Sequence, residues 1–157
     1  MTDAELLAKI KNGLGITGTF QNDTLSVYIE DVKAFMLSAG VLKKVVDSEV
    51  SVGCIMRGVA DLWNYGSGNA SLSDYFKMRL IQLKNSLYLF ITQATGTTVT
   101  VTRNGETIAN NAILTKGDIL TITVTGGTVE VNGEDFTSGE SYTVAGIVEI
   151  ESEVANG

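Results

Sequence analysis

The sequence predicts an α+β chain divided by domain: a small all-α bundle of about four helices over residues 1–93, then a small all-β sandwich or barrel over 97–154. Three observations carry this. Apolar residues recur at three- and four-residue steps as far as the low nineties, the pattern of amphipathic helices. Near Gln93-Ala94-Thr95-Gly96 the spacing changes to alternation at period two, rich in threonine. Asn-Gly pairs then interrupt the alternating runs, a strong hairpin signal.

The first helix starts at a capping box, Thr2 with Glu5 three residues on, and lines Leu6, Leu7, Ile10 and Leu14 along one face. Gly13 and Gly15 stop it, and "GITGTF" reads as a turn. A second helix starts near Asn22 or Asp23, carries Leu25, Tyr28, Ile29, Val32, Phe35, Met36 and Ala39, and ends at Gly40. The third runs from Asp47 or Ser48 to Tyr65. Its apolar residues cover most of its circumference, so it should be the central helix, covered on several sides. Gly66-Ser67-Gly68 reads as the reversal, and Ser71 or Ser73 caps a fourth helix that continues to about Ile91.

In the second half, "TTVTVTRNGETI" alternates into Asn104-Gly105, and "DILTITVTGGTVEVNGEDF" has turns at Gly126-Gly127 and Asn132-Gly133. "ESYTVAGIVEIESE" supplies the last one or two of roughly five to seven short strands. "VTRNGETI" and "VEVNGEDF" look alike, as a duplicated hairpin would. The final "EVANG" is expected to fray.

Composition narrows the chemistry. With no histidine, His-dependent triads and His-ligated metals are excluded. The single cysteine, Cys54, cannot form an intrachain disulfide and lies among apolar residues, where a buried inert thiol is expected. No apolar run reaches the roughly 18–20 residues of a membrane span. The first residues lack the continuous apolar segment of a signal peptide, which points to a protein made and used in the cytoplasm or in something assembled there. The helical half balances its charges, so the whole net charge of −7 lies in the C-terminal third. Neither half offers the basic face that counterion-releasing nucleic-acid binding needs.

Candidate sites are few. Asp61, Asp74, Arg57 and Arg79 flank the aromatic stretch "GVADLWNYGSGNASLSDYFKMRLIQL", but general acid–base work needs two carboxyls held in a cleft, and Asp74 reads better as a first-turn helix-dipole residue. Asp118, Glu134 and Asp135 could meet a calcium ion, yet no Asp-x-Asp-x-Asp-Gly loop is present, so solvated turn carboxylates are expected. There is no phosphate-binding glycine loop. Trp63 shares a face with Val52, Ile55, Met56 and Val59, which places it in the core or at a subunit interface; base stacking would need exposed rings over a basic groove. No catalytic, metal or cofactor residue is expected, and the chain reads as a protein that is not an enzyme.

Residues 5–84 carry a more specific signal. "LGITGTFQNDTLSVYIEDVKAFMLSAGV" followed by "DSEVSVGCIMRGVADLWNYGSGNASLSDYFKMRLIQL" resembles the head–tail connector (adaptor, neck) proteins of tailed bacteriophages, in particular those of phages infecting Gram-positive bacteria. The resemblance implies a structural virion protein without turnover. It would form a homo-oligomeric ring, expected to be dodecameric, beneath the portal protein, extend the DNA channel and dock the next neck, stopper or tail-completion protein. Viral DNA would pass without specific binding. The location implied is the virion neck, and the host cytoplasm during assembly. Trp63, Tyr65, Gly66, Tyr75, Phe76, Arg79 and Gln82 are the signature residues, expected to serve packing and assembly. The β module departs from the family; it resembles immunoglobulin-like additions in pattern, as a peripheral decoration or docking module.

Two other classes compete. A DNA-binding regulator could use several short helices as a helix-turn-helix, against which stand the neutral helical half and the missing basic recognition helix. A surface- or carbohydrate-binding module could reside in the β part.

Overall fold

The computed structural model describes residues 1–69 and 71–155, with backbone alone for 65–69. The architecture is α+β by domain, helices first and two sheets after. The chain divides into two compact units, Met1–Asn85 and Ser86–Gly157.

The first unit holds α1 (Asp3–Leu14), α2 (Asn22–Ser38), a short α3 (Lys43–Val46), a single 3-10 turn at Glu49–Ser51, α4 (Val52–Asn69) and α5 (Asp74–Asn85). The capping box is complete: Glu5 N donates to Thr2 Oγ1 (3.2 Å) and Thr2 N donates to Glu5 Oε2 (2.8 Å). These bonds, that from the Thr2 backbone first, hold the Glu5 carboxyl below its ordinary pKa. The helix ends at Gly15 in the left-handed region (φ 70°), with Ile16 N bonded back to Lys11 O at 2.9 Å. As expected, α4 is central and packs on α1, α2 and α5. Leu6, Ile10, Leu25, Val32, Met36, Ile55, Val59, Phe76 and Leu83 close the core around it. Each large side chain buried this way contributes about 1.5–3 kcal/mol.

Closeness at that centre depends on glycine. A Cβ on Gly58 would stand 2.8 Å from Val32 Cγ1 and 2.9 Å from Phe76 Cε2, so α4 approaches both α2 and α5 at this point. On the flank facing α1, a Cβ on Gly13 would overlap the Met56 thioether.

Three boundaries differ from the sequence expectation. The third helix does not begin at Asp47; α3 and the 3-10 turn precede it, both too short to show a helical period. Gly66-Ser67-Gly68 does not break the chain, because α4 continues through Asn69. Glycine costs a helix interior about 1 kcal/mol but, unlike proline, blocks no backbone hydrogen bond. The fourth helix stops at Asn85, and Leu87–Thr92 is a strand, so the units divide at Asn85/Ser86 and not between 93 and 97. "LYLFI" is a continuous apolar run, which by periodicity alone extends a helix as well as it makes a strand.

Among the described residues the second unit has nine strands: β1 (Leu87–Thr92), β2 (Thr98–Arg103), β3 (Glu106–Thr107), β4 (Ile113–Leu114), β5 (Ile119–Thr125), β6 (Gly127–Val131), β7 (Glu134–Phe136), β8 (Ser141–Thr143) and β9 (Val148–Val154). They form two sheets, ordered β4-β1-β9-β6-β7 and β3-β2-β5-β8. β1 runs parallel to β9; the other pairings are antiparallel. Val99, Val101, Leu120 and Ile122 from one sheet and Leu89, Val129, Val148 and Ile150 from the other make one apolar core. The unit is therefore a sandwich, with more strands than expected because four of them have only two or three residues. Residues 153–154, expected to fray, belong to β9; Asn156 and Gly157 lie outside the described residues.

The resemblance between the two Asn-Gly hairpins extends to the whole unit. β2–β5 and β6–β9 trace the same path: a first strand, an Asn-Gly hairpin, a third strand in the opposite sheet, and a fourth that returns to pair with the first. β4 pairs with β1 as β8 pairs with β5. Through the first three strands equivalent positions are 28 residues apart, among them Val101 and Val129, and Asn104 and Asn132; in the fourth strand the register moves by two, Val101 facing Ile122 whereas Val129 faces Ser152. The joining bonds match as well: Asn111 N donates to Leu89 O and Gly139 N to Ile122 O, both at 2.8 Å.

Gly126-Gly127 is not a hairpin turn. β5 and β6 belong to different sheets, and the two glycines are where the chain crosses between them. A Cβ on Gly126 would overlap Gly96 O, and one on Gly127 would overlap Glu153 O. Close backbone approach sets these residues, not turn type.

Candidate assembly surface

The joint between α4 and α5 absorbs the polar residues that flank the aromatic stretch. Asp61, only 2% exposed, accepts a hydrogen bond at Oδ2 from Ser73 N (2.9 Å) and pairs through Oδ1 with Arg57 (3.1 Å). Ser73 caps α5: its Oγ accepts from Phe76 N and from Arg57 Nε, each at 3.2 Å. The Arg57 guanidinium lies 5.8 Å from the centre of the Tyr75 ring. Asp74 is exposed in the first turn and pairs with Lys77 at 3.2 Å. The two carboxylates that could have formed an acid–base pair are thus a buried strut and a solvated helix-start residue.

The signature residues divide by role. Phe76 is fully buried, its ring centroid 5.9 Å from that of Phe35 on α2. Trp63 is only half-buried, on the flank of α4 that also holds Val52 and Met56, so it is not a core residue in the sense of Phe76. A residue of its size rarely fits wholly inside so small a unit. Arg79 donates to Gln82 Oε1 (2.9 Å) one turn on along α5. Tyr65 and Gly66 fall within α4, and their side chains lie outside the described residues.

α5 carries apolar residues on two opposite sides. Phe76, Leu80 and Leu83 point into the core, while Tyr75 (54% exposed), Met78 (49%) and Ile81 (59%) form a second stripe at three-residue steps. Asp74, Gln82 and Asn85 share that outer side with them. Phe20, in the turn between α1 and α2, is 95% exposed. That turn is held by Asn22 N bonding to Thr19 O (3.1 Å) and by Lys11 Nζ donating to Asn22 Oδ1 (2.8 Å). A groove of about 310 Å³ runs along α2, lined by Ser26, Ile29, Glu30, Lys33, Ala34 and Leu37, with Asp3 at the start of α1 closing it on one side. The sequence held the signal for the second stripe of α5 in its spacing, and the three- and four-residue steps of Ser26, Ile29, Glu30, Lys33, Ala34 and Leu37 likewise marked one face of α2.

In the β unit, Asp118 accepts from Thr115 N and from Arg103 Nη1, each at 2.9 Å. The Thr115 amide first, and Arg103 after it, hold its carboxyl below the ordinary range. Glu134 and Asp135 are exposed at the second Asn-Gly hairpin. Among the described residues no group of three or more acidic or cysteine side chains could hold a metal ion. The outward sides of the sheets differ: Glu130 lies opposite both Glu151 and Asp135 on one, whereas on the other Thr98, Thr100 and Thr102 lie opposite Thr125, Thr123 and Thr121. Cys54 is buried, and loss of solvation pushes its thiol pKa up to about 11 against the opposing pull of Arg79.

Comparison with protein-family models, with curated proteins and with solved structures finds no match for this chain.

Proposed function

We propose that this protein is a structural head–tail adaptor: copies of its helical unit associate into a ring beneath a phage portal, extend the DNA channel and dock the next neck component. The observation that carries the proposal is the two-faced α5, which lies within the sequence block that resembles the adaptor family. Its inner face completes the fold and its outer face is left for a neighbour. Phe20, almost wholly exposed on a built turn, is a second apolar contact of the kind that protein interfaces enclose.

In this role the work is done by complementary surfaces that repeat around an axis, with no bond made or broken. The β unit, joined after α5, serves as a peripheral module. Its acidic sheet face would repel the DNA backbone, which suits a position away from nucleic acid.

Deletion of the gene in a phage that carries it tests the proposal. The expected particles package DNA but fail to retain it or to attach tails. Intact, tailed and infectious particles would reject it.

A further inference from the structure

We infer that the outer ridge of α5, formed by Tyr75, Met78 and Ile81, docks into the α1–α2 groove of a second copy of this chain. The inference rests on the ring-forming role proposed above and names the surfaces that would join the copies.

One surface is an exposed apolar ridge on a helix and the other a recess along α2 closed by the start of α1, the pairing by which a helix seats in a groove. They lie on opposite sides of α2. The contact between Phe35 and Phe76 puts α5 on one flank of that helix. The groove opens on the other, where Asp3 of α1 stands 3.8 Å from Lys33. Ridge and groove of one copy therefore cannot meet, and pairing either surface with itself would leave the other open. The arrangement that occupies both is head-to-tail, which closes into a ring when the rotation per copy permits.

Charge supports the same pairing. Lys77 borders the ridge and, among the described residues, is held in its own copy by the solvent-exposed Asp74. Asp3 and Glu30 border the groove, and the Asp3 side chain is 96% exposed. Both margins carry both signs, so Lys77 can face Asp3 or Glu30 while Asp74 faces Lys33, with the apolar residues enclosed between them.

Cysteine pairing in the full chain tests this. Ala34→Cys and Met78→Cys place thiols in groove and ridge at exposed positions, and the buried Cys54 stays in place. Under mild oxidation, a mixture of the two single variants should give a covalent dimer and the double variant a ladder of multimers, with neither single variant linking alone. As a second measurement, Lys77→Glu should weaken self-association by up to about tenfold and Glu30→Lys in the same chain should restore it. Met78→Cys linking to itself would overturn the proposal. So would the absence of links in the mixture while light scattering shows oligomers; the ring role would then survive with its interface elsewhere. A wild-type chain that stays monomeric at every concentration and beside portal rings would remove both.

Discussion

Asn104 and Asn132 occupy the same place in two copies of one supersecondary path, each at φ 54° and each followed by a left-handed glycine. Two successive residues at positive φ are what a two-residue hairpin with the right twist requires, and Asn-Gly supplies them at the lowest strain. Asn104→Ala is therefore expected to cost about 1–2 kcal/mol and Asn104→Gly much less, whereas at Asn132, whose side chain also accepts from Glu149 N (2.8 Å) and donates to the Tyr142 hydroxyl (2.9 Å), both changes should cost more. Chemical denaturation of the singles and the double checks this, the double equalling the sum because the turns are in separate sheets.

Glycines in α4 should respond to alanine with opposite signs. At Gly58 a methyl group meets Val32 and Phe76, both buried, so overpacking of about 1–3 kcal/mol outweighs the gain of about 1 kcal/mol in helix propensity. At Gly53 no atom of the described residues lies within 4 Å of such a methyl group, and Ala should stabilise by up to about 1 kcal/mol. Melting temperatures of the two variants decide it; a stabilising Gly58→Ala would mean that the helices are not this close.

Core and surface aromatics should separate stability from assembly. Phe76→Ala removes a fully buried ring and should cost about 3–5 kcal/mol. Trp63→Ala should cost clearly less, since the ring is only half-buried. Phe20→Ala should leave the unfolding midpoint within about 0.5 kcal/mol while reducing self-association or docking. A large loss of stability at Phe20 would show that its ring is covered within its own copy.

Acid should weaken the β unit through Asp118. Its folded pKa is depressed below 3.8 by the Thr115 amide and by Arg103, so the stability it adds is complete above the unfolded value and is lost as pH falls through the folded one. Asp118→Asn should flatten that part of the pH dependence and lower stability at neutral pH. Unfolding followed from neutral pH downward for both proteins measures this.

What was legible in the sequence follows from how local each signal is. The capping box at Thr2, the stop at Gly15 and both Asn-Gly hairpins depend on a few adjacent residues, and they stand where expected. The strand Leu87–Thr92 was not legible, because an apolar run carries no period and its partners, Val148 to Glu151, lie some sixty residues on. Gly126-Gly127 resembled a turn for a similar reason: the backbone that crowds it comes from Gly96 and Glu153. At the candidate surface, the second stripe of α5 lies in the spacing of Tyr75, Met78 and Ile81, local enough to be read from the sequence. Asp61, by contrast, could be identified as a strut only once Arg57 and Ser73 were seen beside it.

The central claim, assembly through the helical unit, is tested most directly by electron microscopy of the purified chain mixed with portal rings from a phage that encodes it. The expected result is a closed ring of copies seated on the portal, with α5 of each copy against the α1–α2 groove of the next. Portal rings that remain bare at high concentrations of the chain would contradict it.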